Sequence, residues 1–127
     1  MSISSVLTEN APIPNAPYSQ GIKVGNLLFV SGCVPMDKDT MTIKGTTIEE
    51  QALQALTNLA AIVYAGGSSI DKIVKTTVFI KNMDEFARMN AVYAEFFKGH
   101  KPARSCVEVA RLPLDVLFEI ECIASLE

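Results

Sequence analysis

The sequence predicts an α+β domain in which two helices pack on one face of a mixed β-sheet, with the element order β-β-α-β-α-β-β. Two observations carry this prediction: five apolar or β-branched segments are bounded by turn residues, and two other segments repeat apolar residues at helical spacing. With 127 residues, 49% of them hydrophobic, the chain has the size and apolar content of one domain, residues 1–127. Helices inserted between strands of one sheet favour a two-layer arrangement.

The first elements are an extended arm and a hairpin. Prolines in residues 11–17 exclude a helix and predict an extended path over the surface. Residues 19–24 and 27–34 have strand patterns, and Gly25-Asn26 between them is typical of a tight hairpin turn. A loop is expected over residues 35–46.

The two helices have recognisable ends. Thr47 and Glu50 match a capping box, and the helix that follows should end at Gly66-Gly67. Its expected buried face holds Ile48, Ala52, Leu56, Leu59 and Val63. The second helix follows a cap at Asn82 and ends at Gly99. Its expected apolar face holds Phe86, Met89, Tyr93 and Phe97.

The remaining strands are predicted at residues 73–81, 104–110 and 116–124, the last two joined through residues 112–115. Alternate residues of a strand share a face. We therefore expect one row to pack on the helices and the other to face away from them. The expected helix-facing rows are Ser105, Val107 and Val109 in one strand and Val116, Phe118, Ile120 and Cys122 in the other; Arg104, Cys106 and Glu108 are expected to face away.

The sheet face without helices mixes apolar and charged side chains. Its expected members are Phe29, Phe79, Leu117 and Ile123 together with Arg104 and Glu119. Because such a face is poorly suited to open water, we infer that it forms a subunit interface.

Composition narrows the function. The net charge of −3, with no basic run, argues against a nucleic-acid partner. No apolar run is long enough for a membrane span, and the first 15 residues match no signal or transit peptide, so cytoplasmic location is expected. Cys33, Cys106 and Cys122 are odd in number and widely spaced, as is typical of reduced thiols.

Several common mechanisms lack the residues they need. His100 is the single histidine, and there is no CxxC pair, so no metal site is predicted. A Cys–His or Ser–His nucleophile would depend on that same imidazole. Gly66-Gly67 ends a helix where a phosphate loop would have to open one, and no cofactor is expected.

One residue group suggests a small-anion site. Arg104 and Cys106 share a strand face, and we expect Glu119 on the corresponding face of the next strand. A planar guanidinium holds a carboxylate through two parallel hydrogen bonds, which fixes its orientation. The alternative is a structural ion pair of Arg104 with Glu119 or Glu108.

Three further polar residues have two interpretations each. Asn90 lies at helical spacing beside the apolar face, where it either joins a site or caps a loop. Ser31 is either a site hydroxyl or a strand hydroxyl bonded to backbone. Tyr18 either reaches a site or pins the N-terminal arm.

Five sequence blocks and a terminal motif together resemble the Rid (YjgF/UK) family over nearly the whole chain and in the same order. The blocks are APYSQG at 16–21, VSG at 30–32, VKTTVF at 74–79, NAVY at 90–93 and KPARSCV at 101–107, followed by FEIE at 118–121. The resemblance implies a chorismate-mutase-like fold, assembled as a homotrimer with its sites between subunits. It also implies that the site residues are Tyr18, Ser31, Asn90, Arg104, Cys106 and Glu119. Cys33 and Ala16 depart from the residues frequent in the family, which are glutamine and glycine.

The activity that the resemblance implies is hydrolytic deamination of enamine and imine intermediates made by PLP-dependent dehydratases. Examples are 2-aminoacrylate, its tautomer 2-iminopropanoate, and 2-iminobutanoate; the products are 2-keto acids and ammonia. Arg104 would hold the substrate carboxylate and Glu119 would deprotonate the attacking water. Backbone groups near Ser31 and Cys106 would bind the imine nitrogen, without a covalent role for the thiol. Tyr18 and Asn90 would close the cleft. The alternative is a non-catalytic trimer that senses a ligand or binds a protein, with translation-inhibitor, ribonuclease or chaperone activity as attached to some relatives.

Overall fold

The protein is described by a computed structural model covering residues 2–127, in which one six-stranded sheet packs against two α-helices. The strands are β1 (Ile3–Val6), β2 (Gly21–Val24), β3 (Leu27–Cys33), β4 (Ile73–Ile80), β5 (Ala103–Glu108) and β6 (Phe118–Ser125), and the helices are α1 (Ile48–Ala65) and α2 (Phe86–Phe97). Across the sheet the order is β1-β2-β3-β6-β4-β5, with β4 and β5 parallel and the other neighbours antiparallel. The predicted α+β class is confirmed.

One strand was not predicted. β1 adds a strand before the expected hairpin, pairing antiparallel with β2 so that Ile3 lies opposite Val24. Its first three residues are exposed and only Val6 is buried. Four residues with two central serines give no clear alternation, so pairing with β2 rather than burial defines this strand.

The hairpin of β2 and β3 forms at the expected turn. Gly25 has φ 59°, a left-handed conformation that glycine adopts without a steric penalty. The strands are shorter than predicted: β2 begins at Gly21 rather than residue 19, and β3 ends at Cys33 rather than residue 34.

Helix α1 agrees closely with its prediction. The Thr47 side chain accepts a hydrogen bond from the Glu50 amide, and the Glu50 carboxylate accepts one from the Thr47 amide, which completes the capping box. The Gly66 amide donates to the carbonyl of Ile62 at the other end. All five residues of the expected buried face are fully buried.

Helix α2 begins one short turn after its expected cap. Asn82 accepts a hydrogen bond from the Asp84 amide at 2.9 Å, but it caps a 3-10 turn over Met83–Glu85 that leads into the helix. The helix ends at Phe97, and its C-cap Lys98, with a left-handed φ of 50°, precedes Gly99 at φ 95°.

The core lies between the helices and one sheet face. Phe118, Ile120 and Cys122 of β6 are buried there, as predicted, and Val116, which precedes β6, is buried outside this cluster. Neither helix in the described part of the chain covers the opposite face, which we call the open face. Phe29 and Val107 on it are 41% and 43% exposed.

The predicted rows of β5 are reversed. Cys106 and Ile120 both pair with Val78, so Cys106 shares the helix side of the sheet with the buried Ile120. The same row contains Arg104, while Val107 lies on the open face. Alternation identifies the two rows of a strand but not which one meets the helices. In this edge strand the half-buried row is filled by a guanidinium packed on aromatic rings. β5 and β6 are also displaced from their predicted limits, 104–110 and 116–124.

Candidate functional site

The predicted site residues separate into two clusters on opposite faces of the sheet. The open-face cluster comprises residues from the N-terminal arm, β3 and β6: Tyr18, Ser31, Gly32 and Glu119. The edge cluster comprises residues of α2 and β5: Asn90, Tyr93, Arg104 and Cys106. The expectation that Arg104, Cys106 and Glu119 converge on one face within a chain is therefore wrong.

Glu119 supplies the acid of the open-face cluster. It lies opposite Phe79 of β4, half-buried, and partial burial raises the pKa of its carboxyl group, with repulsion from Glu121 as a second cause. Within residues 2–127 its carboxylate forms no hydrogen bond or salt bridge. Gly32 provides the space, because a Cβ atom there would overlap Glu119 Oε2. The sequence analysis placed Gly32 in the VSG motif but did not predict that it makes room for the Glu119 carboxylate.

Tyr18 and Ser31 border the same carboxylate. Tyr18 is 49% exposed, and partial burial, with smaller effects of Cys33 and Glu119, raises the pKa of its phenol. The Ser31 hydroxyl donates to the Ser19 carbonyl at 2.5 Å, and the Ser31 amide donates to the Gln20 carbonyl at 3.0 Å. Ser31 is thus the backbone-bonded hydroxyl of the second interpretation, and it anchors the segment that presents Tyr18.

A cavity of about 650 Å³, here called the open-face cavity, extends from this cluster past Cys33 of β3 to Asn58 and Ile62 of α1. Its buried polar residues are satisfied within the chain: Gln20 bonds the backbone of Thr8 and Pro12, and Asn58 bonds the carbonyls of Val34 and Met36. The lining groups left for a ligand are Asn15, Tyr18, Glu119 and Glu121, whose side chains form no hydrogen bond or salt bridge within residues 2–127. The apolar part of the wall includes Ile13, Met36, Met41 and Leu114.

Arg104 is the centre of the edge cluster. Its Nη1 donates to Asn90 Oδ1 at 2.7 Å, and its guanidinium carbon lies 4.7 Å from the ring centroid of Tyr93 and 5.5 Å from that of Phe86. None of the salt bridges in residues 2–127 includes Arg104. Since a guanidinium has five N–H donors, most remain available to an anion.

Residues 2–127 contain neither of the alternative ion pairs of Arg104. Glu108 accepts from the Met83 amide at 2.8 Å, and Glu119 lies on the other face, so neither pairs with Arg104 within the chain. Asn90 orients the guanidinium and caps no loop. Sequence reasoning assigned Tyr93 to packing alone, although its ring carries the guanidinium while its hydroxyl bonds Thr76 at 2.8 Å.

The remaining reactive groups have no activated form. Partial burial raises the pKa of Cys106, an effect that Arg104 opposes but does not reverse, so the group is a thiol at neutral pH. Cys33 and Cys122 are buried and unbridged. His100 Nε2 lies 2.7 Å from the Ile73 carbonyl. The described residues contain no cluster of three or more histidine, cysteine or acidic side chains arranged to hold a metal ion, and no helix among them is long and apolar enough to cross a membrane.

Comparison with known proteins decides the family. The sequence model of the endoribonuclease L-PSP family matches residues 8–126. The chain belongs to this family, the Rid (YjgF) family. A RutC family protein of Pyrococcus horikoshii is 53% identical to this Rid chain over 94% of each sequence. The 2-iminobutanoate/2-iminopropanoate deaminase of Escherichia coli is 49% identical over 94% of this chain and 95% of its own.

Solved structures of Rid proteins have the same fold. The crystal structure of E. coli TdcF with bound serine superimposes with a TM-score of 0.92 at 44% identity and covers 96% of this chain and 98% of its own. The likeness confirms the expected chorismate-mutase-like fold. The family includes proteins named as deaminases and as endoribonucleases, so membership alone leaves the activity open.

Proposed function

We propose that this protein is a homotrimeric deaminase that hydrolyses 2-imino acids and their enamine tautomers to 2-keto acids and ammonia. One observation carries the proposal: Arg104 and Glu119 are oppositely charged, neither has an ionic partner among residues 2–127, and they lie on opposite faces of the sheet. A second copy that brings its edge cluster to the open face would pair the two in a cleft between subunits.

The reaction suits these groups. Water attacks the imine carbon, a C–O bond forms, the C–N bond breaks, and nitrogen leaves as ammonia while the water oxygen becomes the keto oxygen. An imine beside a carboxylate is already electrophilic, so orientation and proton transfer suffice. No cofactor enters the proposed route.

Each residue has a proposed task. Arg104 holds the substrate carboxylate through two N–H donors while Asn90 and the Tyr93 ring fix the guanidinium plane. Glu119 takes a proton from water and returns it to the departing nitrogen. Its raised pKa suits both steps, because a group that titrates nearer the working pH exchanges protons in both directions.

The other proposed site residues act by position. Tyr18 closes the cleft, and backbone groups next to Ser31 and Cys106 bind the imine nitrogen. The substrates we propose are 2-aminoacrylate, 2-iminopropanoate and 2-iminobutanoate released by PLP-dependent dehydratases, in the cytoplasm. The similarity to the E. coli deaminase supports this choice.

A second candidate is a trimer that binds an amino acid as a signal and transforms nothing. The serine in the E. coli TdcF structure favours it, because serine has no imine carbon. The endoribonuclease name of the family suggests RNA cleavage as well, but a net charge of −3 and a histidine bonded to backbone offer little to a polyanion.

The test couples a serine or threonine dehydratase to detection of the keto acid, with and without this protein. A deaminase accelerates keto-acid release in proportion to its concentration, whereas a sensor only binds amino acids in calorimetry. Light scattering of the same preparation should give the mass of a trimer. A monomer at micromolar concentration would contradict the shared cleft, and unchanged keto-acid release would contradict the deaminase.

A further inference from the structure

The open-face cavity has an apolar wall that the proposed chemistry does not use. Its volume of about 650 Å³ falls in the range of roughly 300–1,000 Å³ typical of sites for ligands much larger than a three-carbon acid. Its unpaired polar lining consists of Asn15, Tyr18, Glu119 and Glu121, while Met41 and Leu114 belong to the apolar wall.

Both residues belong to a small group with unusual backbone conformation: among residues 2–127, the non-glycine residues with positive φ are Met41, Lys98, Leu114 and Asp115. Met41 has φ 58° and Leu114 has φ 59°, in the left-handed region that side chains other than glycine, asparagine and aspartate seldom adopt. Such conformations persist where the surroundings enforce them, and they concentrate at functional sites. Here both left-handed apolar residues contribute to one cavity.

The loop between β5 and β6 holds Leu114 in place. Pro113 fixes its own φ, the Asp115 amide donates to the Leu112 carbonyl at 3.1 Å, and Arg111 forms a 2.9 Å salt bridge with Asp115. Leu114 is nevertheless 63% exposed, so this constrained loop holds an apolar side chain at the mouth of the cavity without burying it. A ligand with an apolar chain would provide the missing contact.

We infer that Leu114 and Met41 form the subsite for the substrate side chain and favour 2-imino acids with extended aliphatic chains over the three-carbon imine. The inference rests on the proposed function, since it assigns the same cavity. A flexible thioether and a leucine offer contact area without a polar group to exclude hydrocarbon. One or two methylene contacts in such a pocket discriminate substrates by about tenfold.

The experiment compares two imines, generated by an amino-acid oxidase from leucine and from alanine, with wild type and with Leu114→Gly, Leu114→Asn and Met41→Ala. Glycine and asparagine both tolerate a left-handed φ, so the loop is retained. The ratio of kcat/KM for the leucine-derived imine to that for the alanine-derived imine should fall about tenfold in each variant. Because the ratio is taken within one preparation, partial unfolding cancels. Leu7→Asn, which replaces a similarly exposed leucine outside the cavity lining, should leave the ratio unchanged.

Measurements of keto-acid binding test the subsite independently of the deaminase proposal. The keto acids 4-methyl-2-oxopentanoate and pyruvate are measured on the same proteins by calorimetry. Loss of preference for the larger keto acid in the Leu114 variants, without turnover of any imine by wild type, would retain the subsite and overturn the deaminase. A wild type that turns over imines but keeps its ratio within twofold in Leu114→Gly would overturn the subsite alone.

Discussion

The edge cluster and the open-face cluster each expose one charged group without a counter-charge, yet the two are held in different ways. Arg104 is fixed by a hydrogen bond from its Nη1 to Asn90 and by the ring of Tyr93. Glu119 has no hydrogen bond among the described residues and lies in space left by Gly32. A fixed cation suits orientation of a substrate, and a free, half-buried acid suits proton transfer.

The sharpest test of this division removes the acid. Glu119→Gln keeps the shape of the side chain, so we expect an intact trimer with kcat lower by about 10²–10⁴-fold. Glu121→Gln, on the same face and strand, should retain most of the activity. Steady-state kinetics and light scattering measure the two effects, and full turnover by Glu119→Gln would assign proton transfer elsewhere.

The acid also predicts a pH profile. Burial raises the pKa of Glu119, and the base form is the one that takes a proton from water. The kcat/KM of the free enzyme should therefore rise with pH through an inflection above the ordinary glutamate range. An inflection at or below that range would indicate that the paired Arg104 of a second subunit outweighs desolvation.

The edge cluster is tested by changing geometry at constant charge. Arg104→Lys should lower kcat/KM by roughly 10- to 100-fold, nearly as much as Arg104→Ala, because lysine cannot form the planar two-bond clamp. An interface ion pair would tolerate lysine. Wild-type turnover by intact Arg104→Lys trimers would make this residue structural and remove the carboxylate site.

The separation of the clusters has a consequence for mixed assemblies. Arg104→Ala and Glu119→Gln chains, each inactive alone, should regain about one quarter of wild-type activity when refolded together, because one combination in four unites both native residues in a cleft. The keto-acid assay reports the gain. Persistent inactivity in mixed trimers, verified by mass spectrometry, would require both residues to act within one subunit.

The smallest effect is expected at the thiol. Cys106→Ser should retain kcat within about threefold, since a group with a raised pKa that only lines the cleft is not a nucleophile. Complete loss of turnover in a folded trimer, with a covalent adduct on the wild-type protein, would reinstate covalent catalysis.

The sequence predicted those features of the fold that depend on interactions between residues close together in the chain. The capping box at Thr47 and the apolar spacing of α1 act within a few residues, and the helix forms where they indicate. The strand β1 escaped prediction because its pairing with β2 joins segments separated by the proline-rich arm. The site residues were identified in the sequence through the family resemblance, because the motifs that contain them match those of the family.

Their placement was not predictable in the same way. Arg104 faces the helices because its guanidinium packs on the Phe86 and Tyr93 rings of α2. This contact joins an edge strand to a helix that precedes it in the chain. Residue alternation is equally satisfied by either face. Likewise, the role of Gly32 appears only when β3 and β6 are paired and the carboxylate of Glu119 occupies the position of its absent side chain.

The strand order has a consequence for biosynthesis. β6, the last strand in chain order, lies in the interior of the sheet between β3 and β4, where it pairs Val30 with Cys122 and Val78 with Ile120. Until residues 118–125 have left the ribosome, the nascent domain consists of two half-sheets whose inner edges, β3 and β4, are unpaired. The sheet can therefore close only after its central strand has been synthesised, and a chain truncated before β6 would be prone to aggregation through these edges.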